Sequence, residues 1–131
     1  MKKFENFLSN LEVLSQADRE DLENEFIVSG IIDKFFIQFE LAWKVLKELL
    51  RYEGKNIANT GSPREIIKAA YEVYDFLDER VWLSMLKERN DMTHIYDGSA
   101  AKELVAKILN TYIPAFCEMR DEIEKRYGAV L

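Results

Sequence analysis

Apolar residues recur every three or four positions through most of this chain, and the places where that rhythm stops divide it into helices. Phe4, Phe7, Leu8, Leu11 and Leu14 share one helical face, which predicts a first helix over residues 3–16. The pattern lapses at Gln16-Ala17-Asp18, where Asp18 is placed to cap a second helix and Glu20, Asp21 and Glu23 suit its positive end. That second helix is long and unusually apolar. Phe26, Ile27, Ile31, Ile32, Phe35, Phe36, Phe39, Ala42, Trp43, Leu46, Leu49 and Leu50 cover more of the cylinder than one narrow stripe. One intramolecular neighbour does not hide them all, so the helix is expected at the centre of the bundle or against a second subunit, and a homodimer or an obligate partner is predicted. Glu40 and Lys44, four apart in the favourable order, read as a helix ion pair.

Glu53-Gly54 supplies a left-handed cap for this helix, and a polar loop runs from Lys55 to Gly61. Ser62-Pro63-Arg64-Glu65 has the capping serine, first-turn proline and third-position glutamate of a helix start. The helix it opens carries Ile66, Ile67, Ala70, Tyr71 and Val73 and gives way between Asp75 and Asp78. A fourth helix uses Val81, Trp82, Met85, Leu86 and Met92, and the Asp97-Gly98-Ser99 turn stops it and caps the next. Leu104, Val105, Ile108, Leu109, Tyr112, Ile113 and Phe116 mark a last long helix that Pro114 should kink, and the charged tail after Met119 should fray. The fold expected is all-α: an up-and-down helical bundle of about five helices around a four-helix core.

Composition narrows the class. At 131 residues with 48% hydrophobic content the chain suits one core, so residues 1–131 are read as a single domain. The lone Cys117 forms no internal disulfide, and the N-terminal residues lack the apolar run of a secretory signal. Charges at Asp33, Lys34, Glu40, Lys44, Lys47 and Glu48 interrupt the most apolar stretch, so no membrane span is predicted and the cytoplasm is the expected compartment. A net charge of −6 opposes wrapping of duplex DNA, whose binding rests on lysine and arginine displacing counterions, but leaves room for a local phosphate site.

One stretch carries chemistry: Arg89-Asn90-Asp91-Met92-Thr93-His94-Ile95-Tyr96. His94 is the only histidine, hence the only side chain that ordinarily titrates near neutrality. Arg89, five residues earlier, lies about 140° from it on an ideal helix, so a shared site needs the long arginine to reach round or the helix to end between them, near Thr93. Asn90, four residues before His94, shares its face and is placed to orient the imidazole. An arginine fork suits a phosphate oxygen and a histidine moves protons, which is equipment for metal-free RNA cleavage. A twofold interface would supply the second acid or base. Tyr96, beyond the helix end, is expected to offer its hydroxyl to a partner. With one histidine and one cysteine, no metal site is expected, and no phosphate-binding glycine motif or cofactor fingerprint is present.

Arg89-x4-His94-x-Tyr96, downstream of Phe39-Glu40-Leu41-Ala42-Trp43-Lys44 and the Ser62-Pro63-Arg64-Glu65 start, resembles the nucleotidyltransferase substrate-binding proteins of the HEPN superfamily, HepT-like toxins included. The resemblance runs from about Phe26 to Phe116. It implies a bundle that dimerises around the Arg and His motif and associates with a separate minimal nucleotidyltransferase, in a toxin–antitoxin-type pair. In the HepT-like branch it further implies a ribonuclease with Arg89 and His94 in its active site, Asn90 as the polar residue after the arginine, and Tyr96 as acceptor of adenylyl groups from the partner. In the substrate-binding branch it implies a non-catalytic half of a two-part nucleotidyltransferase. The expectation is therefore a helical binding partner of a nucleotidyltransferase, with a metal-independent ribonuclease acting on RNA as the alternative.

Overall fold

Helix α1 (Lys2–Leu14) forms where the periodicity places it and buries Phe4, Phe7, Leu11 and Leu14. Its successor starts later than expected. Asp18 caps nothing; it lies in a 3-10 turn, Ala17–Arg19, and the side chain of Asn24 instead accepts from Phe26 N and Ile27 N to open α2 (Glu25–Tyr52). The acidic run from Glu20 to Glu23 thus precedes the helix. Gly54, at φ +77, turns the chain away from the end of α2. A one-turn helix α3 (Ile57–Thr60) leads to α4 (Pro63–Val73), whose Ser62 and Glu65 form the reciprocal capping box. Asp78 caps α5 (Glu79–Asn90) through Val81 N. A second one-turn helix, α6 (Thr93–Tyr96), joins it to α7 (Gly98–Lys107). The computed structural model describes residues 1–131 and is helical throughout, without a strand.

Cross-chain pairs fix the topology. Lys3 meets Glu48 and Asn10 meets Gln38, so α1 is antiparallel to α2. From α7 the chain continues without a break through a π-helical stretch, Ile108–Tyr112, into α8 (Ile113–Tyr127). Glu23 meets Lys102, Phe35 stacks on Tyr112 and Glu53 meets Tyr127, so this last rod runs in the direction of α2. Ser84 bonds to Tyr112 and Glu88 pairs with Lys107, so α5 opposes the rod. α1, α2, α5 and the α7–α8 rod are therefore an up-down-up-down four-helix core, with α3 and α4 inserted along its side. All four meet at Phe116 on α8, whose ring lies 6.3 Å from Phe7, 6.1 Å from Phe35 and 5.7 Å from Trp82.

Pro114 does its work differently from the expectation. It has no N–H to donate, and instead of a bare kink the backbone switches to the wider π register immediately before it. The tail after Met119 does not fray either: α8 continues to Tyr127 because Ile123 and Tyr127 are buried. The Tyr127 hydroxyl, 2.8 Å from that of Tyr74, donates to Glu53, and burial together with these bonds raises its ionisation well above the usual tyrosine range. Arg126 adds an ion pair to Asp75. A charged sequence thus stays ordered through a few apolar and aromatic anchors.

Two buried polar side chains set the register of α1 on α2. Asn10 Nδ2 donates to Gln38 Oε1 at 2.7 Å and to the Lys34 carbonyl at 3.0 Å, while Gln38 Nε2 donates to the Phe7 carbonyl at 3.1 Å. A sliding of either helix would leave these groups without partners in the core.

The surplus apolar surface of α2 faces outward. Phe26 is 89% exposed and Ile37 49%, and these two lie on the same side of the helix, with Leu41 half-buried beside them. No helix of the chain is long and apolar enough to cross a membrane.

Candidate functional site

The run from Arg89 to Ser99 is organised by two aspartates. α5 ends at Asn90, earlier than the Thr93 expected, because Asp91 turns extended and its Oδ1 accepts from Thr93 N at 2.9 Å and Thr93 Oγ1 at 2.6 Å. Those bonds hold the Asp91 carboxyl below its ordinary ionisation range. The turn they create starts α6. Asp97 closes α6 and caps α7 by accepting from Ser99 N and Ala100 N. No residue of α6 is fully buried, and Met92, expected on the apolar face of the preceding helix, is 55% exposed.

Arg89 and His94 sit on different elements yet reach the same stripe of α2. His94, half-buried, packs its ring against Phe36, with centroids 5.4 Å apart and planes inclined at 46°. Arg89 Nε pairs with Glu40 Oε1 at 2.5 Å, both side chains about one-third exposed. The second carboxylate oxygen of Glu40 accepts from Trp43 Nε1 at 2.9 Å. Phe36, Glu40 and Trp43 follow one another at spacings of four and three, so a single face of α2 anchors both members of the expected pair. The Glu40–Lys44 pair read from the sequence does not form. Glu40 goes to Arg89 and Trp43, and the Lys44 ammonium lies 5.9 Å from the centre of the Trp43 ring. An exposed local pair yields to an ion pair between helices.

His94 separates two clefts. One, of about 600 Å³, is lined by Glu25, Ser29, His94, Tyr96, Asp97 and Lys102 among others, and Lys102 pairs with Glu23 on its wall at 2.7 Å. The other, of about 240 Å³, is lined by His94 with Glu88, Asp91, Thr93 and Lys107. Asn90 lines neither. The break at Asp91 removes the four-residue helical relation on which its orienting role rested. Asn90 makes no hydrogen bond to the imidazole, is exposed, and borders a separate depression beside Arg64 and Leu83. Tyr96 is 90% exposed, with Ile95 and Met92 also turned to solvent around it. No group of three or more histidine, cysteine or carboxylate side chains is gathered in a way that could hold a metal ion.

Residues 1–125 match the model of the family described as nucleotidyltransferase substrate binding protein like. The chain belongs to this family. The match takes in α1, α2, α5, the Arg89 to Tyr96 run and all but the end of α8. Comparison with individually curated proteins gives no match.

Sequence reasoning had missed Phe36, Glu40 and Trp43 as parts of the site. Their spacing was visible, but any apolar or charged residue on an amphipathic helix has such spacing, and only the packing of α5 and α6 onto that face distinguishes it. The signal available was that Glu40 and Trp43 lie in the same short segment that carries the family resemblance.

Proposed function

We propose that this protein is the helical, HepT-like partner of a separate minimal nucleotidyltransferase, in a toxin–antitoxin-type pair, and that it presents Tyr96 to that enzyme as an adenylyl acceptor. The family match over residues 1–125 carries the first part of this reading. The exposure of Tyr96, flanked by exposed Met92 and Ile95 on a short helix outside the core, supports the second. Such a projecting tyrosine reaches into a partner's active site without unfolding of the bundle. Co-expression with a nucleotidyltransferase encoded beside it tests the pairing: a complex should survive affinity purification and gel filtration at micromolar concentration. Two folded proteins that elute separately would remove the idea.

The protein acts as a homodimer in this reading. Support comes from the outward apolar residues Phe26 and Ile37 on α2, which no other part of the chain covers. A symmetric contact on that side would bring two copies of the adjoining Arg89 and His94 toward one axis. The double substitution Phe26→Lys and Ile37→Lys should weaken self-association by at least tenfold, about 1.4 kcal/mol. Light scattering should then move from twice the 15.4 kDa chain mass toward that mass itself. An unchanged dimer in the variant would place the contact elsewhere.

A second reading is a metal-independent ribonuclease that uses Arg89 and His94 across that dimer and is silenced by adenylylation of Tyr96. The anchoring of Arg89 and His94 one turn apart on the same α2 face favours it. With a chelator present, His94→Ala should lower the rate of RNA cleavage by about 10²–10⁴-fold, the usual worth of a positioned acid or base. Equal cleavage by both proteins would assign the activity to a contaminant.

A further inference from the structure

We infer that Glu40, held by Trp43, is the positioning residue that presets Arg89 as a seat for a phosphate ester. The inference rests on the reading of Arg89 as a phosphate-contacting side chain and extends it to two residues on another helix.

The contact between Glu40 and Arg89 is made at a particular atom. Glu40 forms its ion pair at Nε, and Arg89 has no other ion pair and no hydrogen bond from its side chain to the protein. The terminal nitrogens are therefore uncommitted, and both side chains keep about one-third of their surface open to solvent. Those terminal donors are the ones a phosphate oxygen would use.

Glu40 is itself fixed from two directions. Its second oxygen is held by the Trp43 indole at 2.9 Å, one turn further along α2, and the half-buried Trp43 packs against the core. The carboxylate thus has one oxygen for the helix that carries it and one for the helix that carries Arg89. A free arginine side chain loses rotamer entropy when it is immobilised on a ligand. The Glu40 contact restrains that side chain in advance, so less remains to be lost on binding. The aromatic contact of His94 with Phe36, one turn earlier on the same face, fixes the second functional side chain from the same scaffold.

The sign of the expected effect separates positioning from simple neutralisation. Glu40 carries a negative charge next to the phosphate seat, so on electrostatics alone its removal from a chain of net charge −6 should strengthen the binding of an anion. A positioning role requires the opposite.

Two probes distinguish the source of the phosphate: a short single-stranded oligoribonucleotide with 2′-O-methyl groups, which cannot be cleaved, and ATP alone. The protein used is the full chain. Glu40→Ala should weaken whichever probe binds wild type by at least tenfold, Glu40→Gln by a smaller factor because one oxygen remains, and Trp43→Phe by an intermediate one. Glu48→Gln, which removes the same charge from α2 away from Arg89, should stay within twofold. In parallel, 15Nε relaxation should show the Arg89 side chain restrained in wild type and mobile in Glu40→Ala, with backbone amides unchanged, whereas a loss of global fold would alter every amide. Binding by Glu40→Gln as tight as wild type or tighter would overturn the role of Glu40, and so would an equal loss in Glu48→Gln or an Arg89 side chain as mobile in wild type as in Glu40→Ala. If neither probe binds wild type, the phosphate seat falls and the ribonuclease reading with it, while the pairing with a nucleotidyltransferase is judged separately by co-purification.

Discussion

Replacement of Phe116 by alanine should lower the free energy of unfolding by about 3–5 kcal/mol. The ring is fully buried at the one point where α1, α2, α5 and α8 converge, with Phe7, Phe35 and Trp82 around it. Its loss removes the transfer energy of a phenyl group and leaves a cavity walled by four separate helices, whose mutual spacing is fixed by other contacts and closes only in part. Domains of this kind have roughly 5–15 kcal/mol in total, so the variant sits near the edge of folding. Phe116→Leu should recover more than half of the loss. Urea unfolding followed by circular dichroism, with slopes compared between variants, measures both values. A loss under about 1 kcal/mol for the alanine variant would mean that the four helices can collapse onto the gap and that Phe116 is not their common contact.

Tyr96→Phe should abolish modification by the partner enzyme and leave the fold untouched. The hydroxyl is the proposed acceptor, and the substitution removes nothing else. Tyr96 is almost entirely exposed and its hydroxyl takes no part in a hydrogen bond within the chain, so stability should change by no more than about 0.5 kcal/mol. Incubation of the wild type with the nucleotidyltransferase and ATP, followed by mass spectrometry, should find one adenylyl group on the peptide that contains residues 93–97. Tyr52 provides the internal control. It is 65% exposed, at the far end of α2, and should stay unmodified if the surface around Tyr96 directs the reaction. An adduct on Tyr52 at comparable yield would show that exposure alone selects the site, and an adduct that persists in the Tyr96→Phe variant would move the acceptor elsewhere.

Those expectations draw on parts of the molecule that were unequally legible. The four-helix core could be read because its signals are local: the apolar period of α1 and α2, the Ser62 to Glu65 capping box and the glycine at position 54 each act within a few residues. The late start of α2 was hidden because Asp18 and Asn24 are both competent caps, and the choice depends on where the turn after α1 lets the chain re-enter the bundle. The ordered tail was hidden for a similar reason. Ile123 and Tyr127 look isolated among charges until Tyr74 and Glu53, distant in sequence, receive them.

The site divides in the same way. Arg89, His94 and Tyr96 stand out as residue types at a helix end, and Tyr96 is exposed as expected. The face that Asn90 was expected to share with His94 was an extrapolation of α5 through Asp91, whose side chain instead bonds Thr93 and stops the helix. Glu40 was illegible because its partner is 49 positions away, as the residue numbers show, and a local rule supplied a nearer one.

The two aspartates that bracket residues 92–96 uncouple that segment from the stability of the bundle. Asp91 and Asp97 satisfy the backbone at each end of α6 with their own side chains, and the segment between them puts nothing fully into the core. It is a cassette insulated from the bundle. Substitutions at Met92, Ile95 and Tyr96, all exposed, are then hardly felt by folding and should each change stability by no more than about 0.5 kcal/mol. His94 is the exception inside the cassette, since its ring is the one that reaches back to α2.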